Sequence, residues 1–292
     1  MTAAALLLAT LLIGGCSTLR WGYSQGDTLA YWWLDRHAGF TETQAPQVRA
    51  ALAQWFDWHR REQLADDVAL LEQIALAAPD DLSAAQVCGW WGTLEKRRAR
   101  YMAMAVPALA RIAPTLSAEQ WRSVQQRFDR TNATWRDEQL GADPRERERK
   151  AVERVVERAE KLYGRLDGAQ RDFVTERMRR SPWDAQRWLD ERQIDQRDTL
   201  RTLSGMSANG QTEAQRQEIV HAWLGRVVQP SDAAAGRWRA SLRDDQCALS
   251  AELHNRSSAA QRRQAVETLR GWAQDLRSFL PPVSAKQAAK AP

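Results

Sequence analysis

The chain has 292 residues, 43% of them hydrophobic, and fourteen are tryptophan, so it has ample material for a core and wholesale disorder is excluded. Forty-two basic and 37 acidic residues give a net charge of +5. The small basic excess is dispersed along the chain, which argues against a nucleic-acid stripe.

The first fifteen residues are apolar and uncharged, and they end in Ile13-Gly14-Gly15 directly before Cys16. An apolar run followed by small residues is typical of a secretory signal peptide. The run is too short to span a bilayer as a helix, which needs about 20 residues. We therefore predict that residues 1–15 are a signal peptide, although neither Lys nor Arg precedes the apolar run.

A cysteine placed after two small residues resembles a bacterial lipobox, whose pattern is an aliphatic residue, two small residues and a cysteine. The resemblance implies cleavage before Cys16 and lipidation of Cys16. Because Ser17 follows rather than aspartate, it also implies an outer-membrane lipoprotein that faces the periplasm. Residues 16–26 would then be a lipidated tether, and ten extended residues would reach about 35 Å. The expected partner is the membrane, through the lipid anchor.

Beyond the tether, nearly every segment from Asp27 onward carries hydrophobic residues at helical spacing. Trp121, Val124, Phe128 and Trp135, for example, recur at intervals of three, four and seven. No stretch shows sustained alternation of β-branched residues. The pattern predicts an all-α fold of about ten helices, as a multi-helix bundle or stacked helix pairs, without β-sheet.

The limits of this helical region follow from its turn signals. We predict one all-helical domain over 27–280, with a sub-boundary in the loop SGMSANGQT at 204–212. The tail 281–292 is expected to be disordered. Pro107 lies inside an otherwise helical run and predicts a kink there.

Two cysteines remain in an oxidising compartment, where pairs of thiols tend to be bridged. A disulfide between Cys88 and Cys247 would close a loop of about 160 residues and stabilise the fold. On a helical projection Cys88 flanks an apolar stripe, whereas Cys247 lies opposite the stripe that contains Trp238 and Leu249. Two interpretations stay open: a Cys88–Cys247 disulfide, or two separately buried free thiols.

A short motif recurs at the predicted helix starts: Ser, Thr or Asp, followed three residues later by glutamine. This is the spacing of a capping box, in which the first side chain accepts a backbone N–H and the glutamine reaches back to the cap N–H. The pairs are Thr41 and Gln44, Ser83 and Gln86, Ser117 and Gln120, and Asp167 and Gln170, with weaker copies at Thr212 and Ser258. The motif predicts helix starts and indicates little about function.

The sequence contains none of the common motifs for catalysis, metal binding or nucleotide binding. The four histidines form neither HxxxH nor HExxH, and the chain has no GxSxG elbow and no glycine-rich nucleotide loop. The charged run at 144–161 alternates in sign at helical spacing, as a solvated helix does. We therefore predict no enzyme activity, no metal, no cofactor and no nucleic-acid partner.

Two tryptophan doublets, Trp32-Trp33 and Trp90-Trp91, allow two interpretations. Aromatic faces can serve as sugar platforms, which would suit a cell-wall ligand. Most of the tryptophans fit apolar stripes, however, so core packing is favoured.

Two family resemblances rest on these segments. The lipobox, Tyr23, the run DTLAYWWLDR at 27–36 and the FTETQ that follows together resemble an uncharacterised proteobacterial lipoprotein family, known as domain of unknown function 6279. This resemblance covers essentially the whole chain, is distinctive over 16–44, and implies no reaction. The LSAAQ at 82–86 and the LSAEQ at 116–120 are similar to the LTxxQ pattern of small helical periplasmic chaperones, with serine for threonine.

We expect, from these patterns together, an outer-membrane-anchored lipoprotein with a non-catalytic binding or scaffolding role, with envelope proteins or peptidoglycan as candidate partners. Chaperone-like activity is the first alternative. A peptidoglycan-binding or lytic cell-wall protein is the second. Helical lytic transglycosylases carry their acid glutamate directly before serine, and no Glu-Ser dipeptide occurs in this chain.

Overall fold

The computed structural model describes residues 16–141, 143–206, 210–228 and 232–282. The predicted signal peptide at 1–15 and most of the predicted tail at 281–292 lie outside these residues. Within them the chain is helical and contains no strand, so the all-α prediction is confirmed.

The helices are short to medium in length and joined by short connections. In chain order they are α1 (Cys16–Ser24), α2 (Gly26–Ala38), α3 (Ala45–Glu62), α4 (Leu64–Ala77), α5 (Ala84–Met104), α6 (Val106–Ile112), α7 (Ala118–Arg136), α8 (Pro144–Tyr163), α9 (Gly168–Arg180), α10 (Ala185–Gly205), α11 (Glu213–Val228), α12 (Ala233–Asn255) and α13 (Ala259–Arg277). A 3₁₀ turn (Ala113–Thr115) precedes α7, and a π turn (Asp137–Gly141) follows it.

The helices pair in a nested order. α8 packs on α9, α7 on α10, α6 on α11, α5 on α12 and α4 on α13. The chain therefore runs outward through α4–α8 and returns through α9–α13, each returning helix meeting its outgoing counterpart. The last helix, α13, also contacts α1 and α8, so the two ends of the nested series meet.

Buried side chains form several local clusters. One of them joins α6, α10 and α11 through Val106, Leu203, Met206, Val220 and Leu224. It includes residues on both sides of the loop at 204–212, of which 207–209 lie outside the described residues. The loop therefore connects two helices that share one cluster.

Pro107 lies where the predicted helix is interrupted completely, not only kinked. α5 ends at Met104 and α6 begins at Val106, with Pro107 in its first turn. A proline is tolerated there because the first-turn N–H groups of a helix have no partner within the helix. The run is thus divided into two helices.

Residues 16–26 differ from the predicted extended tether, because α1 begins at Cys16 and α2 follows at Gly26. The Tyr23 ring packs on Phe56 and Phe279, with ring centroids 6.1 and 4.9 Å apart. Gly26 lies so close to Phe56 that a Cβ there would overlap the ring. Packing against α3 and the residues after α13 therefore orders a segment whose own composition indicates a linker.

A buried histidine joins α12 to two other parts of the chain. His254 is 1% exposed, with Nε2 2.9 Å from the Asp80 carbonyl and Nδ1 3.0 Å from the Tyr163 hydroxyl. A carbonyl only accepts, so Nε2 donates to Asp80, and in the neutral ring Nδ1 then accepts from the Tyr163 hydroxyl. Burial lowers the pKa of His254 below its ordinary 6.5, and Arg262 adds to this, although the bond to the Asp80 carbonyl opposes it.

This lowered pKa predicts a loss of stability on acidification. Below pH 6.5 the unfolded chain binds more protons at His254 than the folded chain does. The contribution of His254 to the free energy of unfolding is therefore present above pH 6.5 and is lost as the pH falls toward the folded pKa. When urea unfolding is measured at about pH 7.5 and at about pH 5, we expect the free energy of unfolding to fall less for His254→Gln than for the wild type. The glutamine amide can bond both the Asp80 carbonyl and the Tyr163 hydroxyl, and it does not titrate. An equal loss in both proteins would contradict this assignment.

Candidate functional site

The capping motifs do more than start helices, because four of their glutamines meet in two pairs. Gln44 Nε2 lies 3.3 Å from Gln120 Oε1, and Gln120 Nε2 lies 2.7 Å from Gln44 Oε1. Each Oε1 also accepts the N–H of the first residue of its own motif, from Thr41 at 3.0 Å and Ser117 at 2.9 Å. Ser117 is the N-cap of α7, whereas Thr41 precedes the turn that leads into α3 at Ala45. We call the Gln44–Gln120 pair clasp 1.

The second amide N–H of each glutamine in clasp 1 donates to a backbone carbonyl that lies shortly before the partner's helix. Gln44 donates to the Thr115 carbonyl and Gln120 to the Gly39 carbonyl, both at 2.8 Å. Gly39 has a φ of 60° and ends α2 in the left-handed region, which suits glycine. Clasp 1 therefore ties the end of α2 and the start of α3 to the start of α7.

Clasp 2 repeats this geometry between α9 and α13. Gln170 Nε2 is 2.8 Å from Gln261 Oε1, and Gln261 Nε2 is 2.9 Å from Gln170 Oε1. The cap N–H donors are those of Asp167 and Ser258, and the carbonyl acceptors are those of Arg256 and Arg165.

The pairing explains why these positions carry glutamine. In both clasps each amide uses its oxygen twice and its two N–H groups once each, so a side chain such as Gln170, 2% exposed, is fully satisfied. A glutamate could accept the cap N–H but could not donate, and it would bury a charge. Sequence spacing predicted the caps and missed the pairing, because the partners are 76 and 91 residues apart.

Two further copies of the motif act locally. At Ser83, both hydrogen bonds of a capping box form, with Gln86 Oε1 2.9 Å from the Ser83 nitrogen. Thr212 and Gln215 make the same pair of bonds, at 2.8 and 3.2 Å. Both glutamines are exposed, and within the described residues neither meets a second capping glutamine.

The two remaining cysteines are joined in the structure. Cys88 on α5 and Cys247 on α12 form a disulfide with Cα atoms 5.4 Å apart. Cys247 is 1% exposed although it lies opposite the stripe of Trp238 and Leu249, because α12 contacts α5 and α9 and buries residues on more than one face. The bridge links the outgoing and returning halves of the nested chain.

A polar network that the sequence analysis missed joins α1, α3, α4 and α5. The Tyr23 hydroxyl lies 2.8 Å from His59 Nδ1, and His59 Nε2 lies 3.2 Å from Asp67. Arg97 and the Tyr101 hydroxyl also donate to Asp67, at 2.8 and 2.7 Å. Its members lie on four helices, so no local sequence signal could have found it.

The electrostatics of this network favour an ionised carboxylate. Burial opposes ionisation of Asp67, but hydrogen bonds from His59, Tyr101 and Arg97 outweigh it and lower the pKa of Asp67 below 3.8. Burial raises the pKa of Tyr23 to about 12. The carboxylate is occupied by three donors, so the network serves to hold α1 against the body.

The described part of the chain contains no group of three or more His, Cys, Asp and Glu side chains that could hold a metal ion. None of the described helices combines the length and apolar character that crossing a bilayer requires.

The N-terminal helices carry an aromatic surface, which we define as Trp21, Leu29, Trp32 and Trp33. The three tryptophans are each 61% exposed and Leu29 is 37% exposed. The expectation that the Trp32-Trp33 doublet packs in the core is therefore wrong. Among the large hydrophobic side chains exposed in the described residues, no other stretch of similar length carries as many.

These side chains lie on one side of an almost continuous helix. Gln25 N–H donates to the Trp21 carbonyl and Leu29 N–H to the Gln25 carbonyl, so helical hydrogen bonds continue from α1 into α2. At 3.6 residues per turn the aromatic surface spans roughly 120° of the helix. The buried Tyr31 and Ala38 fall on the opposite side, against the body.

An apolar cavity lies behind this surface, with a volume of about 350 Å³. Its walls come from α2, α3, α6, α7 and α10, and clasp 1 lies where α2, α3 and α7 meet. All but four of the lining residues are hydrophobic, the exceptions being His37, Gln54, Arg111 and Thr199. Trp33 belongs both to the lining and to the aromatic surface.

Comparison with known proteins adds no relative to this description. No protein-family model matches the chain, and neither a curated protein nor a solved structure shows significant similarity to it.

The two kinds of capping glutamine predict unequal effects of substitution. Gln120→Ala removes the glutamine half of the capping box and leaves Gln44 without its partner, so we expect it to cost about 2–4 kcal/mol. Gln86→Ala removes only the glutamine half of a local capping box, and we expect about 0.5–1 kcal/mol. Chemical denaturation of both variants measures the difference.

Glutamate variants provide the matched control, because glutamate can cap but cannot donate. Gln86→Glu should be nearly neutral. Gln120→Glu should be at least as destabilising as Gln120→Ala, because it also buries a charge. Equal costs at the two positions would show that the pairing contributes nothing.

Proposed function

We propose that the protein is a lipoprotein anchored in the outer membrane through Cys16, with its helical body in the periplasm and a non-catalytic binding or scaffolding role. The lipobox and the serine at position 17 support the anchor. The resemblance of residues 16–44 to domain of unknown function 6279 supports the same class.

The observation that carries this proposal is the position of the aromatic surface. Trp21 follows Cys16 by five residues in the same helix, an axial distance of about 8 Å. Lipid attached at the start of α1 would hold the body against the bilayer, because α1 packs on the body and leaves no extended spacer. Tryptophan side chains favour the membrane–water interface, and helices with an exposed aromatic face lie in its plane.

A positive charge on the aromatic surface agrees with this orientation. Arg36 is exposed, falls within the same 120° of the helix, and has no ion-pair partner among the described residues. Arginine stems can cover apolar surface while the guanidinium remains in water, where lipid phosphates would supply the counter-charge. A bilayer would thus satisfy both the apolar and the cationic parts of this face.

The rest of the molecule supports binding rather than catalysis. The His59–Asp67 contact has the partners of a catalytic relay, but Tyr23, Arg97 and Tyr101 occupy the remaining positions. Of the two LTxxQ-like motifs, the one at 116–120 offers little surface to an unfolded client, because Gln120 is buried in clasp 1. In the other motif Gln86 is exposed, but its side chain is occupied in a local capping box. The apolar cavity is the feature that a binding function would use.

The anchor and the orientation are tested in one experiment with two readouts. Cells supplied with an alkyne fatty acid should label the wild-type chain and not Cys16→Ser. The labelled lipoprotein is then placed in vesicles whose acyl chains carry bromine, which quenches tryptophan fluorescence on contact. We expect strong quenching of the wild type and loss of most of it in the triple variant Trp21→Phe, Trp32→Phe, Trp33→Phe.

The control variant carries Trp91→Phe and Trp183→Phe, which are 45% and 39% exposed and lie outside the aromatic surface. It should be quenched like the wild type. Equal labelling of wild type and Cys16→Ser would refute the anchor. Equal quenching of the triple variant and the control would refute the orientation.

A further inference from the structure

We propose that the apolar cavity between α2, α3, α6 and α7 binds the acyl tail of a single-chain amphiphile that enters from the bilayer. This inference rests on the proposed function, because the bilayer against which the aromatic surface lies is the source of the amphiphile. The inference names the class of ligand that the proposed binding function would involve.

The size and lining of the cavity fit such a tail. Its volume of about 350 Å³ lies in the range of small-molecule sites. The cavity is half open to the surface, and its walls are almost wholly apolar. Apolar cavities do not retain water well and readily accept apolar guests.

The sequence keeps this space open in two ways. The lining includes alanines where larger side chains would fill the volume, namely Ala38, Ala51, Ala105, Ala108 and Ala113. Pro107, which also lines the cavity, ends the continuous helix between α5 and α6.

The polar lining residues indicate where the amphiphile's head would lie. Trp33 is exposed and part of the aromatic surface, and its ring stacks on His37 with centroids 4.3 Å apart. The Arg111 side chain is half exposed, and its contact with Glu213 is long, at 3.5 Å. A phosphate or carboxylate head would remain beside these groups at the rim while the tail is buried.

The test uses the full lipoprotein in phospholipid vesicles that contain a lysophospholipid with a diazirine at the end of its tail. After photolysis, peptide mapping locates the crosslinked residues. We expect label on cavity peptides of α3 and α6, around Leu52 and Leu109, in addition to label on the aromatic surface of α2. Excess unlabelled lysophospholipid should remove the cavity label.

Cavity-filling variants make the result specific. Ala108→Phe should reduce the α3 and α6 label to the level seen without photolysis and leave the α2 label unchanged. Ala51→Phe serves as the second filling variant if Ala108→Phe does not fold. Ala69→Phe, an exposed position on α4, is the matched control and should keep both labels.

The remaining outcomes overturn the inference in distinguishable ways. Label confined to Trp21, Leu29 and Trp32, without label at the cavity residues of α2, α3 and α6, would refute the cavity site while leaving the membrane orientation intact. Absence of label from α2 and from the cavity would count against the proposed function as well. Cavity label that persists in the filling variants, or photocrosslinked dimers without cavity label, would show that the space does not hold an acyl tail.

Discussion

A buried glutamine amide must satisfy two N–H groups and an oxygen, and the arrangement of this protein depends on how its capping glutamines do so. In clasp 1 the oxygens accept the Thr41 and Ser117 N–H groups just before α3 and α7, and the amide N–H groups donate to the partner amide and to the carbonyls of Gly39 and Thr115. Helix starts that are unremarkable by themselves are thereby fixed to one another. Clasp 1 positions α2, α3 and α7, which supply walls of the cavity, and α2 carries most of the aromatic surface.

The nested helix order distributes these constraints over the whole chain. Clasp 2 joins α9 to α13 on the returning half, and the Cys88–Cys247 disulfide joins α5 to α12 across the two halves. α13 in turn supports α1, on which Tyr23 is held by His59. The surface proposed to face the bilayer is therefore continuous with the most strongly connected part of the fold, and an anchored lipid would orient the whole body.

Local sequence patterns predicted the helices and their caps, because hydrophobic period and N-cap chemistry act within a few residues. They did not predict what depends on distant partners. The pairing of Gln44 with Gln120, the burial of Cys247 and the helical state of residues 16–26 each require a helix from elsewhere in the chain. The exposure of Trp32 and Trp33 was missed for the opposite reason: composition indicates core, and only the packing of α2 shows which face is left uncovered.

A double-mutant cycle tests whether the paired capping glutamines fix the helices around the cavity. The free energy of unfolding is measured for Gln44→Ala, Gln120→Ala and the double variant, and in parallel for Gln86→Ala with Gln120→Ala. We expect a coupling free energy of about 1 kcal/mol or more between Gln44 and Gln120. For Gln86 with Gln120, we expect the losses in the free energy of unfolding to add within about 0.5 kcal/mol. Additive costs in both cycles would contradict this expectation.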